Sequence, residues 1–163
     1  MSLPPETVER VLSYLRKRGA EDSVEETVAR VRLAADDLHA AARGVAGFDQ
    51  RPRPDEWSAH ECLAHAVEWN LRNAREILYV ALSGELPPDE AVVLPAERDA
   101  LIRTHDEAIE SLFAHLREAA PEAFLQITWP HPFFGALNWR EWLAFLEVHC
   151  RDHTGQLRAM QRA

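Results

Sequence analysis

Lysine is almost missing from this chain. Of its 18 basic residues only Lys17 is one, and the arginines are dispersed among 27 carboxylates. With a formal net charge of -9 and no basic stripe, the surface repels phosphate backbones and anionic membranes, so neither nucleic acid nor a membrane is expected as a partner. Cysteine is equally scarce. Cys62 and Cys150 are too few for the disulfide framework of a small secreted domain, and both stand inside helix-like patterns. No apolar run approaches the roughly 18 residues of a membrane span. The opening "MSLPPETVERVLSYLRKRG" is charged and amphipathic, without the apolar core of a signal peptide. Together these absences predict a cytoplasmic protein.

What is present is helical periodicity. The length of 163 residues with 47% hydrophobic content suits one domain with a proper core. Proline and glycine cut the chain into one short and four long segments, each with apolar spacing near 3.6 rather than 2, which predicts an all-α fold. A short leading helix runs from about Pro5 to Arg18, stops at Gly19, and carries Val8, Val11, Leu12 and Leu15 as one stripe. It is expected to lie across the outside of the main body, so the chain divides into a leading helix over 1–22 and a bundle over 23–163.

Three helix starts are marked by capping boxes, in which a polar side chain and a glutamate three residues later satisfy two orphan amides. They are Ser23 with Glu26, Ser58 with Glu61, and Asn138 with Glu141. Trp57 with Cys62, and Leu137 with Trp142, have the placement of hydrophobic staples. The first capped helix continues to about Arg43, and a further helix is predicted from about Ala96 to Ala119. Between it and the last helix stands "PEAFLQITWPHPFFGAL", a long aromatic link without helical period, expected to pack on the body as a loop and to bear on function.

The last helix, "WREWLAFLEVHCRDHTGQLRAM", places His149 and His153 four residues apart on its apolar stripe. Such a pair can hold one metal ion from the same side. Chance also produces the spacing in a chain with eight histidines, so two core histidines donating to carbonyls remain an equal alternative. His65, beside the Cys62, Ala66 and Trp69 stripe of its own helix, is the candidate third ligand. Three histidines would leave a coordination position open, as catalytic zinc-type sites do. Cys150 points about 100° away from His149 on a helix and reads as core filling.

Of the other histidines, His60 is expected to be exposed at N2 of its helix, and His39 and His115 to occupy ordinary helix positions. His105, in line with Ile109, Leu112 and Leu116, reads as a satisfied core residue that can approach a site in the bundle. His131 reads as a turn residue between two prolines, or as a group reaching a ligand if the link caps the bundle.

The pair of segments "DEWSAHECLAHAVEWN" and "HPFFGALNWREWLAFLEVHCRDHTGQL" resembles the two signature regions of the DinB/YfiT superfamily of four-helix metalloproteins, from Ser23 to the C-terminus. The resemblance implies an up-down-down-up bundle, often a homodimer, and a divalent metal, commonly zinc or nickel, on His65, His149 and His153. It further implies activation of a low-molecular-weight thiol such as bacillithiol, mycothiol or glutathione, or of water, for transfer to a small-molecule substrate. The expected function is therefore a metal-dependent thiol transferase or hydrolase. A non-catalytic metal- or small-molecule-binding protein and a metal-free structural dimer stand as alternatives. Glu68, one turn after His65, is the candidate general base, though a surface carboxylate fits it as well. Gln156, one turn beyond His153, is a candidate for a hydrogen bond within the site, while Asp152 flanks His153 and fits a solvated surface carboxylate equally well.

Overall fold

The computed structural model describes residues 3–162. All three capping boxes form. Ser23 starts α2 (Val24–Arg43), Ser58 starts α3 (Ala59–Ser83), and Asn138 starts α5 (Trp139–Met160), each with its side chain accepting from the N3 amide while the N3 glutamate accepts from the cap amide. α4 spans Arg98–Leu116, shorter at both ends than its periodicity predicts. Its N-cap, Glu97, makes no side-chain capping bond, so no local signal fixes that start.

The four long helices form a ring in the order α2, α5, α3, α4, each touching its two neighbours. This is the four-helix bundle expected of an all-α chain. Its core is two apolar clusters. One gathers Ile77, Leu112, Trp139, Trp142 and Leu146; the other gathers Leu38, Leu63, Ala66, Leu101 and Leu157. On three helices the residue at the boundary between clusters is polar and buried: Asn70 on α3, His105 on α4 and His149 on α5.

The leading helix, α1 (Pro5–Glu21), packs along α5. Leu15 is fully buried, and Val8, Val11 and Leu12 lie against the first cluster. Tyr14 Oη donates to Glu147 Oε2 at 2.9 Å, and Arg30 and Arg151 flank the same buried carboxylate at 3.4 and 2.8 Å. Gly19 does not stop α1. It lies inside the helix where α5 approaches so closely that a Cβ would stand 2.9 Å from Glu141 Cγ, so the glycine permits packing rather than ending the element.

The aromatic link is not an irregular loop. It contains an antiparallel hairpin of β1 (Thr128–His131) and β2 (Gly135–Asn138), with Thr128 paired to Asn138 and His131 to Gly135. Gly135, at φ 73°, supplies the left-handed backbone that closes the short turn. β1 alternates outward Thr128 and Pro130 with inward Trp129 and His131. Pro130 is tolerated because a two-stranded sheet has only edge strands. Among the described residues no helix is long and apolar enough to cross a membrane.

Candidate metal centre

Two turns of α5 and one of α3 bring three imidazoles together. His65, His149 and His153 each offer a ring nitrogen, and these atoms lie within 4.8 Å of one another. His149 and His153 are buried, whereas His65 is half-buried, so the group has one side towards solvent. Burial pushes all three below the ordinary histidine pKa, and for His149 the neighbouring His153 and His65 add to the effect. At neutral pH the group is uncharged and rich in lone pairs.

The hydrogen bonds behind the rings decide which lone pairs those are. His149 Nδ1 faces the carbonyl oxygen of Asn70 at 2.9 Å, and His153 Nδ1 faces that of Gln156 at 3.2 Å. An oxygen that can only accept places the hydrogen on Nδ1 of His149, and it does the same at His153 with the Cys62 thiol donating to Gln156 Oε1 rather than to the ring. Both Nε2 atoms are then bare, and they face each other at 3.1 Å. Two lone pairs at that separation repel unless a cation lies between or beside them, and a divalent metal ion on neutral imidazoles meets that requirement. The donor set therefore fits a metal.

Each of these orienting amides is itself held. Gln156 Nε2 donates to Asp152 at 2.9 Å. The Asn70 amide nitrogen donates to His105 Nε2 at 2.8 Å and to the Cys150 sulfur at 3.2 Å. With Nε2 accepting, His105 carries its hydrogen on Nδ1 and donates it to His39 Nε2 at 2.8 Å. A buried chain thus runs from α2 through α4 and α3 to α5, with every shared nitrogen assigned. Burial drives the His105 pKa down to about 3 and lowers that of His39.

The other candidate residues fall in different places. Glu68 is not brought into the group of three: it lies on the outer face of α3, half-exposed and 3.7 Å from Arg72, although its charge reaches His65. Neither thiol is a nucleophile in waiting. Cys62 and Cys150 are buried, and desolvation pushes each thiol up to about 12. The Cys62 sulfur sits 3.5 Å from His153 Nδ1 and 3.4 Å from Gln156 Oε1, behind the ring rather than in front of it. Trp57 is 42% exposed while Cys62 is fully buried. The indole covers the His65 ring at 4.8 Å, forming part of the site rather than the core side of a staple. Leu137 and Trp142, in contrast, are both buried in the first cluster.

His60 is half-buried, stacked on Phe48 at 5.5 Å and bonded to Asp49, whereas His115 is exposed and turns back to the Ser111 carbonyl. His39 is not an ordinary helix position but the buried end of the chain behind His149. Asn70 went unnoticed by sequence reasoning. The available signal was an amide in the seam of Leu63, Ala66, Val67, Ala74 and Ile77, where an unpaired polar group is costly.

The crystal structure of TT2238, a four-helix bundle protein, has a TM-score of 0.59 to this chain at 23% identity. The alignment covers 84% of this chain and 99% of that one. At such identity the likeness concerns the fold alone. No curated protein matches the sequence. The family model of the DinB superfamily matches residues 23–157, from the N-cap of α2 to the last buried leucine of α5. The chain belongs to the DinB superfamily.

Proposed function

We propose that the protein binds one divalent metal ion, zinc or nickel, through His65, His149 and His153, and uses its open face to activate a low-molecular-weight thiol or water towards a small-molecule substrate. The observation that carries this reading is the pair of bare Nε2 atoms at 3.1 Å beside a third imidazole. Membership in a superfamily that is generally metal-associated adds to it. Imidazole donors suit zinc and nickel alike. When bound, such an ion supplies Lewis-acid polarisation and lowers the pKa of a thiol or water held on it.

The chain's own residues have separate tasks. Asn70 and Gln156 fix the ring tautomers and planes, and Trp57 and Trp69 wall the half-buried side around His65 at 4.8 and 6.1 Å. The protonated Cys62 and Cys150 do not compete as ligands. Glu68 offers no proton acceptor inside the group, and this favours a second reading in which the metal protein binds a small molecule without turning it over.

Elemental analysis of untagged protein by mass spectrometry tests the proposal. About one equivalent of divalent metal is expected in the native chain and none in His149→Ala/His153→Ala. Metal absent from the native protein even after incubation with zinc and nickel sinks it. Metal bound without turnover of any thiol-transfer or hydrolytic substrate selects the second reading.

A further inference from the structure

Two buried donors on facing elements have no partner. Apart from atoms of the Arg18, Arg30 and Glu147 ionic network, the buried side-chain nitrogens and oxygens without a hydrogen bond among the described residues are Asn73 Nδ2 and His131 Nε2. β1 turns Trp129 and His131 inward. Trp129 Nε1 donates to Glu76 on α3 at 3.0 Å, and the His131 ring lies 6.2 Å from Trp69 on the same helix. Trp69, Asn73 and Glu76 recur at i, i+4 and i+7 and share one helix face. Asn73 therefore stands between the two points where the strand meets α3.

The His131 hydrogen is located by its other nitrogen. The backbone amides of Phe133 and Phe134 both donate to Nδ1, at 3.1 and 3.3 Å, so Nδ1 bears the lone pair and Nε2 carries the hydrogen on the ring edge away from the turn. The residue is only 5% exposed, and a buried N–H without an acceptor calls for an explanation. The surrounding rings link it to the metal centre. Phe145 lies 4.4 Å from His131 and 5.4 Å from His149, and Trp69 lies 6.2 and 6.0 Å from the same two rings.

We propose that His131 and Asn73 form an oxygen-acceptor subsite beside the three-histidine group, taking a neutral carbonyl or amide oxygen of a small ligand whose apolar part lies against Trp69 and Phe145. Both donors are N–H groups, so the ligand atom is an acceptor. Glu76, a carboxylate on the same face of α3, repels an anionic group and selects the neutral oxygen. Phe133, half-exposed at the hairpin turn with its ring 6.0 Å from His131, is the side chain an entering ligand displaces. The inference rests on the metal reading only for what the ligand's other end meets.

The test is titration of the ¹⁵N-labelled full chain, with and without zinc, by benzamide, toluene and benzoate, following the His131 side-chain N–H by NMR. Benzamide is expected to shift that signal and to bind about tenfold more tightly than toluene or benzoate. His131→Phe, which keeps the ring, and Asn73→Leu should each remove most of that advantage while leaving zinc content at the native level. Equal binding of benzamide and toluene, or an N–H signal unmoved at millimolar benzamide, overturns the subsite and leaves the hydrogen resting on the Phe145 face or on a trapped water. Should the variants fail to fold, the signal in the native chain decides. A benzamide response in zinc-free protein upholds the subsite even if the chain binds no metal, whereas zinc binding without a benzamide response defeats the subsite alone.

Discussion

His39 with His105, and His149 with His153, are both pairs of buried imidazoles whose nitrogens approach within about 3 Å, yet they differ in where their hydrogens are. In the first pair His105 donates from Nδ1 to His39 and accepts at Nε2 from Asn70, so the contact at 2.8 Å is an ordinary hydrogen bond. In the second pair the Nδ1 hydrogens are spent on Asn70 and Gln156, and the contact at 3.1 Å joins two lone pairs. Proximity of histidines is common to both. The hydrogen account separates a closed structural pair from an open set of donors.

The largest expected contrast is in the response to metal. With zinc at a thousand times its Kd, a ligand that binds only the folded state stabilises it by about 4 kcal/mol, a rise of roughly 8–16 °C in Tm for a domain of this size. Thermal melts of native protein should show this shift, and His149→Ala should abolish it. An undiminished zinc shift in His149→Ala would erase the distinction between the pairs.

Breaking the closed pair should act next, and differently. His105→Ala removes the acceptor of one Asn70 amide hydrogen and the donor to His39 and opens a cavity among fully buried groups, so a loss of about 2–4 kcal/mol is expected in urea unfolding of the metal-free protein. The variant should still take up one metal ion, with affinity about 10–100-fold weaker because only the contact to the Cys150 sulfur then holds the Asn70 amide against His149. Unchanged affinity in a folded His105→Ala protein would show that the chain behind His149 is structural only.

How much of this was legible in the sequence follows from the range of each signal. Capping boxes are read within four residues, and Ser23, Ser58 and Asn138 all hold. The three converging histidines were legible because the motif pairs two of them on one helix, the apolar stripe of α3 points to His65 as the third, and the family resemblance implies the same set. The hairpin was not, since β1 has only four residues, Pro130 lies in it, and two periods of alternation in Thr128–His131 cannot outweigh two prolines. Gly19 was misread because close approach of α5 is a tertiary fact. Asn70 and His39 were missed for the same reason: a seam polar residue is visible locally, but its partner lies on another helix.

Acid should separate the pairs further. His105 has its pKa held near 3 in the fold against about 6.5 when unfolded. Between those values the unfolded chain binds the extra proton, so stability is lost as pH falls below about 6.5 and this group contributes no slope above it. Each such histidine gives a slope of about 1.4 kcal/mol per pH unit. Urea unfolding of metal-free protein from pH 7.5 to 4.5 should show His105→Phe with a shallower acid slope, by about one proton. An identical slope would mean that His105 is already protonated in the native core.

The smallest effect concerns the orienting amide on the open side. Gln156 is held by Asp152 and faces His153 at 3.2 Å, but it is exposed on the helix surface, where water can replace a lost acceptor more readily than at buried Asn70. Gln156→Ala should therefore weaken zinc binding by about tenfold or less, with little change in metal-free stability. Asn70→Ala, deprived of any such replacement, should sit at the upper end of the 10–100-fold range and also unfold more easily. Competition titrations with a chelator on the two variants would rank them. If Gln156→Ala proved the more damaging, His153 rather than His149 would be the ring whose orientation limits binding, and the weight given to the buried chain through His105 and His39 would shift to the surface pair of Gln156 and Asp152.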